Sequence, residues 1–327
     1  MAIGILATGS YLPDHVVTND DLARTVDTSD AWVTSRTGIR QRRRARPDET
    51  TSDLGHRAAV AALHNGGLTA DQVDALVVAT SSPDRIQPST ACHIHAKLGL
   101  TQVPAFDVGA VCSGFVYAAA TAAGLMGSFP QHRRVMVVGC ETYSRILDYE
   151  DRGTCVFFGD GAGAAVLGHV PDGYGVLGCD LIADSTQLDV VGVPAGGATE
   201  PADARTVRER RHYFHMDGRR VWNFATQAVP RVVKGALASA GLDVGDVDLL
   251  VTHQANARLI EECADRAGIP LDRIPTTVER YGNTAAASVP ITLAEAHAAG
   301  RIRRGDVVVL AAVGGGMTAG ALVLRWY

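Results

Sequence analysis

One sequence pattern occurs twice along this chain, and it limits the possible folds more than any other feature. Residues 67–78 read GLTADQVDALVV, and residues 241–252 read GLDVGDVDLLVT. Each copy follows an alanine-rich stretch, 53–65 or 225–240, and runs into aliphatic residues, which is typical of a helix that leads into a buried strand. The spacing of the copies is far longer than the roughly 20–50 residues of a solenoid repeat. The chain is therefore predicted to contain two similar α/β halves.

A weaker repeat supports the same division. It consists of an aliphatic run and a later glycine cluster, found at 135–139 with 159–163 and again at 307–311 with 314–316. Each cluster leads into an apolar run that is typical of a strand. We therefore place a boundary near residue 170, with one layered α/β half in residues 1–170 and the other in residues 171–327.

Composition and charge exclude several classes of protein. The chain is 46% hydrophobic but only 6% aromatic and has 35 glycines, which favours a tightly packed α/β protein. Its net charge of −5 with 20% charged residues argues against a general nucleic-acid binder. We find no signal peptide and no run that approaches the ~18 apolar residues of a membrane span, so we expect a cytoplasmic protein. The six cysteines have no CxxC spacing, so neither a metal site nor a disulfide framework is expected.

Cys112 is the strongest candidate nucleophile. It lies where the apolar residues 106–111 meet a glycine turn and the alanine-rich helical run 117–126. This arrangement places the thiol at the start of a helix, where backbone amides and the helix dipole stabilise a thiolate. We therefore expect the pKa of the Cys112 thiol to be lowered. A buried structural cysteine is the alternative interpretation.

Two polar residues in the second half are candidate partners of Cys112. His253 comes directly after the buried strand of the repeat, where α/β folds present functional side chains to a crevice. Asn283 follows a glycine and precedes a small-residue helix start, which would let a substrate approach the backbone closely. Taken singly, such residues are more often a hydrogen-bonded core histidine and a capping asparagine.

Three motifs together resemble those of a known enzyme family. The chain contains GAVCSGF at 109–115, HQAN at 253–256 and GNTAAAS at 282–288, in the order and approximate spacing of β-ketoacyl-[acyl-carrier-protein] synthase III. The match spans nearly the whole chain and includes the flanking motifs DAWVTSRTGI at 30–39, DRGT at 151–154, FGDGAGAA at 158–165 and GGGMTAG at 314–320. The resemblance implies the thiolase fold, a duplicated α/β fold with a layered α-β-α-β-α architecture.

The resemblance also implies a reaction in two halves. An acyl group passes from coenzyme A to Cys112, while the backbone amides of Cys112 and Gly315 hold the tetrahedral oxyanion. Malonyl-acyl carrier protein then loses carbon dioxide, His253 and Asn283 stabilise the enolate, and the enolate attacks the acyl-enzyme. The product is a 3-oxoacyl carrier protein, formed at the initiation of fatty-acid or polyketide synthesis. Acyl-CoA is a substrate, and no cofactor is expected.

Binding partners follow from the same resemblance. Trp32, Arg36 and Arg152 match positions that contact coenzyme A, the tryptophan by stacking and the arginines through charged or planar contacts. Arg258 matches a position on the face that docks the acidic acyl carrier protein. The family forms two-fold dimers, so we expect a homodimer with its seam along the 80–110 segment.

Four positions are expected to shape the acyl pocket. Many family members that use a short primer have an aromatic residue at the position of Gln87, which by resemblance reaches across the dimer into the partner's pocket. Val313 and Ala319 also replace aromatic residues, while Trp222 replaces a smaller aromatic near the mouth. The loss of ring volume predicts a longer, branched or polar acyl chain instead of acetyl. Repacking by neighbouring side chains is the alternative.

Other interpretations of these motifs are less favoured. The Gly159-x-Gly161-x-x-Ala164 pattern fits a dinucleotide fingerprint only superficially, because a strand instead of a helix is expected at 164–168. The arginines of 42–46 are expected in a solvated loop, with phosphate contact as the alternative. Residues 185–212 have no clear period and are predicted to form a long surface loop that lines a site.

Two other functions of the same fold remain possible at this stage. A thiolase-fold acyltransferase would move the acyl group from Cys112 to an alcohol or amine without condensation, but the pair of His253 and Asn283 suits enolate stabilisation. A non-catalytic partner subunit is disfavoured because the nucleophile and both polar residues are all present.

Overall fold

The computed structural model describes all 327 residues. The strands are β1 (Ala2–Tyr11), β2 (His15–Thr18), β3 (Gln41–Arg44), β4 (Ala75–Ala79), β5 (Ala105–Val108), β6 (Arg134–Glu141), β7 (Gly161–Val170), β8 (Gly175–Ala183), β9 (Val191–Gly192), β10 (His215–Met216), β11 (Leu249–Thr252), β12 (Val307–Gly314) and β13 (Thr318–Arg325). The α-helices are α1 (Asn19–Leu22), α2 (Asp30–Thr37), α3 (Thr51–Asn65), α4 (Thr90–Lys97), α5 (Gly114–Ser128), α6 (Arg152–Cys155), α7 (Ala204–Arg208), α8 (Gly218–Ser239), α9 (Ala257–Ala267), α10 (Val278–Tyr281) and α11 (Ser288–Ala298). Short 3-10 turns, including Val111–Ser113 and Ala285–Ala287, join several of them.

Four strands of the first main sheet have the same order and directions as the four strands of the second, which explains the repeat in the sequence. The first sheet runs β1-β7-β6-β4-β5, and the second runs β8-β13-β12-β11. In each sheet the first two pairs are antiparallel and the third pair is parallel. The repeated sequence ends in β4 in one sheet and in β11 in the other. The proposed boundary near residue 170 falls between β7 and β8 and remains our division of the chain.

Successive side chains on each strand point to opposite faces of the sheet, and these faces define the layers of the molecule. On β4, Val77 faces the central helices α5 and α11, whereas Val78 faces the outer helices α3 and α4. On β12, Val308 belongs to the same central core, and Val309 packs against the outer helices α8 and α9. Each sheet is thus covered on both faces, as expected for buried parallel strands. The layer order is α-β-α-β-α, which confirms the predicted thiolase-like architecture.

One helical stretch, Val111–Ser128, is long and apolar enough to cross a membrane by length and composition. The expectation that no such run exists is therefore wrong. In the fold this stretch contains α5, whose Phe115, Val116 and Ala119 pack in the central core between the two sheets.

The arginine run at 42–46 is not the solvated loop that its charge suggested. Arg42, Arg43 and Arg44 belong to β3, and only Arg46 lies beyond the strand in an exposed loop. The Arg42 side chain is buried and donates hydrogen bonds to Asn19 Oδ1 at 2.9 Å and to the Val156 carbonyl at 2.7 Å. Burial lowers the pKa of Arg42 to about 10. Arg44 instead lies over the Tyr149 ring. These contacts tie the N-terminal segment to the residues that precede β7.

Candidate active site

Strand ends bring the predicted catalytic residues to one place. Cys112 lies in the turn between β5 and α5, and His253 directly follows β11. Asn283 precedes the turn that opens α11, and Gly315 lies between β12 and β13. All four residues line a single cavity, whose empty space together with the open solvent at its mouth is about 480 Å³. The structure therefore brings together the nucleophile, the two polar partners and the glycine of the predicted oxyanion hole.

The rest of this cavity is apolar. Eleven of its fifteen lining residues are hydrophobic. A charge formed inside would therefore be stabilised only by the few polar groups present. The lining side chains that the sequence analysis had not named are Phe158, Val191, Phe214, Met216, Val221, Phe224, Ala255, Leu259 and Met317. Phe158 stacks on Tyr143 with ring centroids 4.6 Å apart and meets Phe214 edge-on at 4.9 Å. This aromatic cluster forms one wall.

The backbone around the cavity is held in unusual conformations. Val111, Ala285 and Met317 have φ angles of 47°, 45° and 51°, which side-chain-bearing residues rarely adopt. At Gly314 a Cβ atom would lie 2.6 Å from the Ala110 carbonyl oxygen and 2.9 Å from the Cys112 nitrogen. Any larger residue at Gly314 would thus displace the loop that carries the nucleophile. Backbone strain of this kind is typical of functional sites.

The environment of Cys112 differs from the expectation of an activated thiolate. Burial in the apolar cavity raises the pKa of its thiol, and the nearby Glu141 carboxylate adds to the shift. The predicted lowering is wrong because removing an anion from water outweighs the favourable amides at the start of the helix. The resting nucleophile is a neutral thiol.

His253 is buried and neutral. Desolvation lowers its pKa to about 4, and Nδ1 lies 2.6 Å from the Ser288 hydroxyl oxygen. The chain offers no hydrogen-bond partner to Nε2, which leaves that atom for a molecule in the cavity that His253 lines.

The orientation of the Asn283 amide follows from its neighbours. Its Oδ1 accepts a hydrogen bond from the Ala285 backbone N–H at 2.8 Å. Because that oxygen is occupied, the Nδ2 group is the part of the amide that is free to donate to a bound molecule. The carbonyl of Asn283 accepts the Gly159 N–H at 3.0 Å, and its N–H donates to the Phe157 carbonyl at 2.8 Å.

Glu141 is a buried carboxylate that the sequence analysis missed. It is fully buried at the end of β6 and accepts hydrogen bonds from the N–H and hydroxyl groups of Ser81 and Ser82 and from the Ala286 N–H. Burial raises its pKa to about 7. Its position as the last residue of a buried strand was the sequence signal that could have identified it.

The three residues predicted to contact coenzyme A lie together on the surface. The Arg36 and Arg152 guanidinium carbons are 5.0 Å and 4.8 Å from the centroid of the Trp32 ring. The Arg36 carbonyl accepts a hydrogen bond from the Asn256 side chain at 3.2 Å. Asn256 lines a second cavity with Trp222, and this cavity shares Asn283 with the catalytic one. The Trp32 cluster thus adjoins the mouth of the catalytic cavity.

Comparisons with known proteins point to one family. A profile described as 3-oxoacyl-[acyl-carrier-protein (ACP)] synthase III matches residues 106–185, and one for the C-terminal part of that enzyme matches residues 237–326. The chain is 44% identical to β-ketoacyl-[acyl-carrier-protein] synthase III of Desulfitobacterium hafniense over 100% of this chain and 98% of the relative. It is 49% identical to β-ketoacyl-[acyl-carrier-protein] synthase III 3 of Streptomyces coelicolor over 97% and 95% of the two chains.

A solved structure gives the same result. The crystal structure of 3-oxoacyl-(acyl carrier protein) synthase III from Pseudomonas aeruginosa superimposes with a TM-score of 0.91 at 40% identity, covering 100% of this chain and 98% of that one. The chain belongs to the 3-oxoacyl-[acyl-carrier-protein] synthase III family. The resemblance that its motifs indicated is confirmed.

Within this synthase III chain, the predicted acyl-pocket residues have different positions. Val313 lines the catalytic cavity, and Trp222 lines the adjoining one. The prediction for Ala319 is wrong: this residue lies opposite Val313 in the β12–β13 pair but is fully buried in the outer core and does not reach the cavity. Gln87 is exposed on the surface of the single chain, and its predicted reach into a partner subunit stays a prediction.

The remaining predicted elements of the synthase III site are also placed by the fold. Arg258 is exposed on α9, two residues from the mouth residue Asn256, and forms an ion pair with Glu261 at 3.1 Å. The 185–212 segment is not a continuous loop, since it contains β9 and α7. Val191 from this segment does line the catalytic cavity, so the expectation that the segment contributes to the site is confirmed.

Proposed function

We propose that this chain is a 3-oxoacyl-[acyl-carrier-protein] synthase III that acts through Cys112, His253 and Asn283. The observation that carries the proposal is the convergence of these three side chains and Gly315 on one apolar cavity. The enzyme transfers an acyl group from acyl-CoA to Cys112 and condenses it with malonyl-acyl carrier protein. The 3-oxoacyl product starts a fatty-acid or polyketide chain.

In the first half-reaction, the sulfur of Cys112 attacks the thioester carbon of acyl-CoA. The tetrahedral oxyanion accepts hydrogen bonds from the backbone N–H groups of Cys112 and Gly315. Because the resting thiol is neutral, it loses its proton as the new bond forms, and one proton is gained by the departing coenzyme A sulfur. The apolar walls exclude water and so protect the acyl-enzyme from hydrolysis.

In the second half-reaction, malonyl-acyl carrier protein loses carbon dioxide, and the electron pair of the broken carbon–carbon bond forms an enolate. Asn283 Nδ2 and the neutral His253 ring donate hydrogen bonds to the enolate oxygen. The enolate carbon then attacks the thioester on Cys112, and the thiolate of Cys112 leaves and is reprotonated. Histidine can act here without gaining a charge, because its pKa is about 4.

Substrate access is through the mouth beside Trp32. The indole offers a stacking surface for the adenine of coenzyme A, and Arg36 and Arg152 supply positive charge for its phosphates. Arg258 lies near the same mouth, where it would attract the acidic carrier protein. We further propose that the enzyme works in the cytoplasm as a homodimer.

One experiment tests the proposal against a plain acyltransferase. The enzyme is incubated with labelled acyl-CoA, malonyl-acyl carrier protein and a panel of alcohols and amines. We expect labelled Cys112, release of carbon dioxide and a labelled 3-oxoacyl carrier protein. Label found on an alcohol or amine without carbon dioxide release would support the acyltransferase instead, and no label on the protein would indicate a non-catalytic subunit.

A further inference from the structure

Ser288 connects the catalytic histidine to the turn that carries the catalytic asparagine. It is the first residue of α11 and is fully buried. Its hydroxyl oxygen lies 2.6 Å from His253 Nδ1 and 2.9 Å from the Ala285 carbonyl oxygen. The Gln254 backbone N–H donates to the same oxygen at 3.3 Å. The Ala285 carbonyl can only accept, whereas Nδ1 donates or accepts according to the tautomer of the ring, and the hydroxyl has one proton to give.

The Ala285 carbonyl does not depend on that proton. It already accepts a hydrogen bond from the backbone N–H of Ser288 itself. The contact to His253 Nδ1 is the shorter of the two. When the hydroxyl proton points to Nδ1, the Ala285 carbonyl keeps its bond from the Ser288 N–H, the Gln254 N–H keeps its bond to the hydroxyl oxygen, and the histidine ring must carry its own proton on Nε2, which faces the cavity.

We propose that Ser288 is a positioning residue that donates to Nδ1 of His253 and thereby holds the Nε2–H tautomer toward the catalytic cavity. This inference rests on the proposed function, because it names the source of one of the two donors that the enolate requires. Asn283 supplies the other donor through Nδ2, since its Oδ1 is held by the Ala285 N–H. One short turn, residues 283–288, thus sets the orientation of both donors.

The arrangement predicts a selective defect. Without the Ser288 hydroxyl, the His253 ring can carry its proton on Nδ1, and Nε2 then presents a lone pair that repels the enolate. Ser288→Ala should slow carbon dioxide release from malonyl-acyl carrier protein roughly 10- to 100-fold, the loss that outer partners of metal-binding histidines typically cause. Acylation of Cys112 by acyl-CoA should stay within about twofold of wild type, because the enolate forms only in the second half-reaction.

A matched control and a conservative variant separate this role from general destabilisation. Thr292 is another fully buried hydroxyl on α11, bonded to Thr277 at 2.8 Å and absent from the cavity lining. Thr292→Val should leave the ratio of the two half-reactions unchanged. Ser288→Thr keeps the hydroxyl and should restore carbon dioxide release toward the wild-type rate.

Two further measurements decide whether Ser288 acts through His253. In the His253→Ala background, Ser288→Ala should cause no additional loss of carbon dioxide release, because the group it positions is gone. Nitrogen NMR of histidine-labelled protein, with the His253 signal assigned by its loss in His253→Ala, should show Nε2 protonated in wild type and a shift toward the Nδ1–H form in Ser288→Ala.

The failures of the two proposals are distinguishable. If wild type neither acylates Cys112 nor releases carbon dioxide, the proposed function is wrong. If wild type does both but Ser288→Ala keeps the wild-type ratio, the inference alone is overturned. It is equally overturned if wild-type His253 carries its proton on Nδ1, or if Ser288→Ala blocks acylation and spares carbon dioxide release.

Discussion

Phe158 and Asn283 form an isolated parallel β-bridge that joins the two halves of the molecule at the active site. The Asn283 N–H donates to the Phe157 carbonyl, and the Asn283 carbonyl accepts from the Gly159 N–H. Phe158 lines the same cavity as Asn283, so one wall of this cavity and one of the proposed catalytic side chains share a backbone connection. The asparagine is thus held by residues that lie more than a hundred positions earlier in the chain.

The nucleophile gives the first prediction. Cys112→Ala should abolish the acyl-enzyme and condensation, because no other thiol lines the cavity. Intact-protein mass spectrometry after exposure to acyl-CoA checks this. The exposed Cys92 is the control, and Cys92→Ala should acylate normally. Acyl label that persists in Cys112→Ala would mean that the nucleophile is misassigned.

His253 and Asn283 give the second prediction. His253→Ala or Asn283→Ala should slow carbon dioxide release by ~10²–10³, the usual cost of losing one donor to a developing oxyanion. Acylation of Cys112 should remain substantial in both variants. The exposed residues His64 and Asn223 provide matched controls as His64→Ala and Asn223→Ala. An equal loss of both half-reactions in His253→Ala would identify the histidine as the base for Cys112.

The buried carboxylate predicts how stability depends on pH. Burial raises the pKa of Glu141 from 4.5 to about 7, so between these values the folded chain holds a proton that the unfolded chain has released. The contribution of this proton to the free energy of unfolding is complete below pH 4.5 and is lost as pH rises through about 7. Relative to Glu141→Gln, wild type should lose up to about 3 kcal/mol of unfolding free energy over this range.

Denaturant unfolding of both proteins across that pH range measures the difference. His253 also makes stability depend on pH, in the opposite direction, because its contribution to the free energy of unfolding grows between pH 4 and 6.5. This contribution is the same in wild type and variant, so it cancels in the comparison. Parallel pH profiles for the two proteins would show that Glu141 does not titrate as its burial suggests.

Primer size gives the fourth prediction. Val313 lines the cavity with a side chain smaller than an aromatic ring, and the Met216 and Met317 side chains, which also line it, are flexible enough to adapt to different acyl chains. We expect Cys112 to react faster with a medium-length, branched or polar acyl-CoA than with acetyl-CoA, and Gln87→Phe to shift the preference toward acetyl. Acylation rates with acetyl-, butyryl-, branched and octanoyl-CoA test both points. An acetyl optimum in wild type that Gln87→Phe leaves unchanged would rule the idea out.

The aromatic walls make a related, fifth prediction. Phe214 and Phe224 both line the cavity, and neither was expected from the sequence. Phe224→Ala should favour the longer acyl-CoAs by about 10- to 200-fold relative to acetyl-CoA, in the range of pocket discrimination by a few carbon atoms. Phe129, which is exposed and distant from the cavity lining, provides the control Phe129→Ala. A preference that does not change in Phe224→Ala would mean that the acyl chain lies elsewhere.

The sequence by itself determined the duplicated architecture and the three central site residues. Hydrophobic runs and turns are local properties, so the repeat at 67–78 and 241–252 was enough to predict two similar sheets. Cys112, His253 and Asn283 each stand next to the end of a strand or the start of a helix, and their motifs occur in family order. Such residues can be identified before any contact is known.

Only the tertiary structure decided how these residues behave. The thiol pKa of Cys112 rises instead of falling, because burial depends on the walls that other segments build around it. Ser288 meets His253, and Glu141 meets Ala286, across large separations in the chain. Ala319 is covered while Val313, its partner across the strands, lines the cavity. Contacts between distant segments set solvation and hydrogen bonding, and no local pattern in the sequence encodes them.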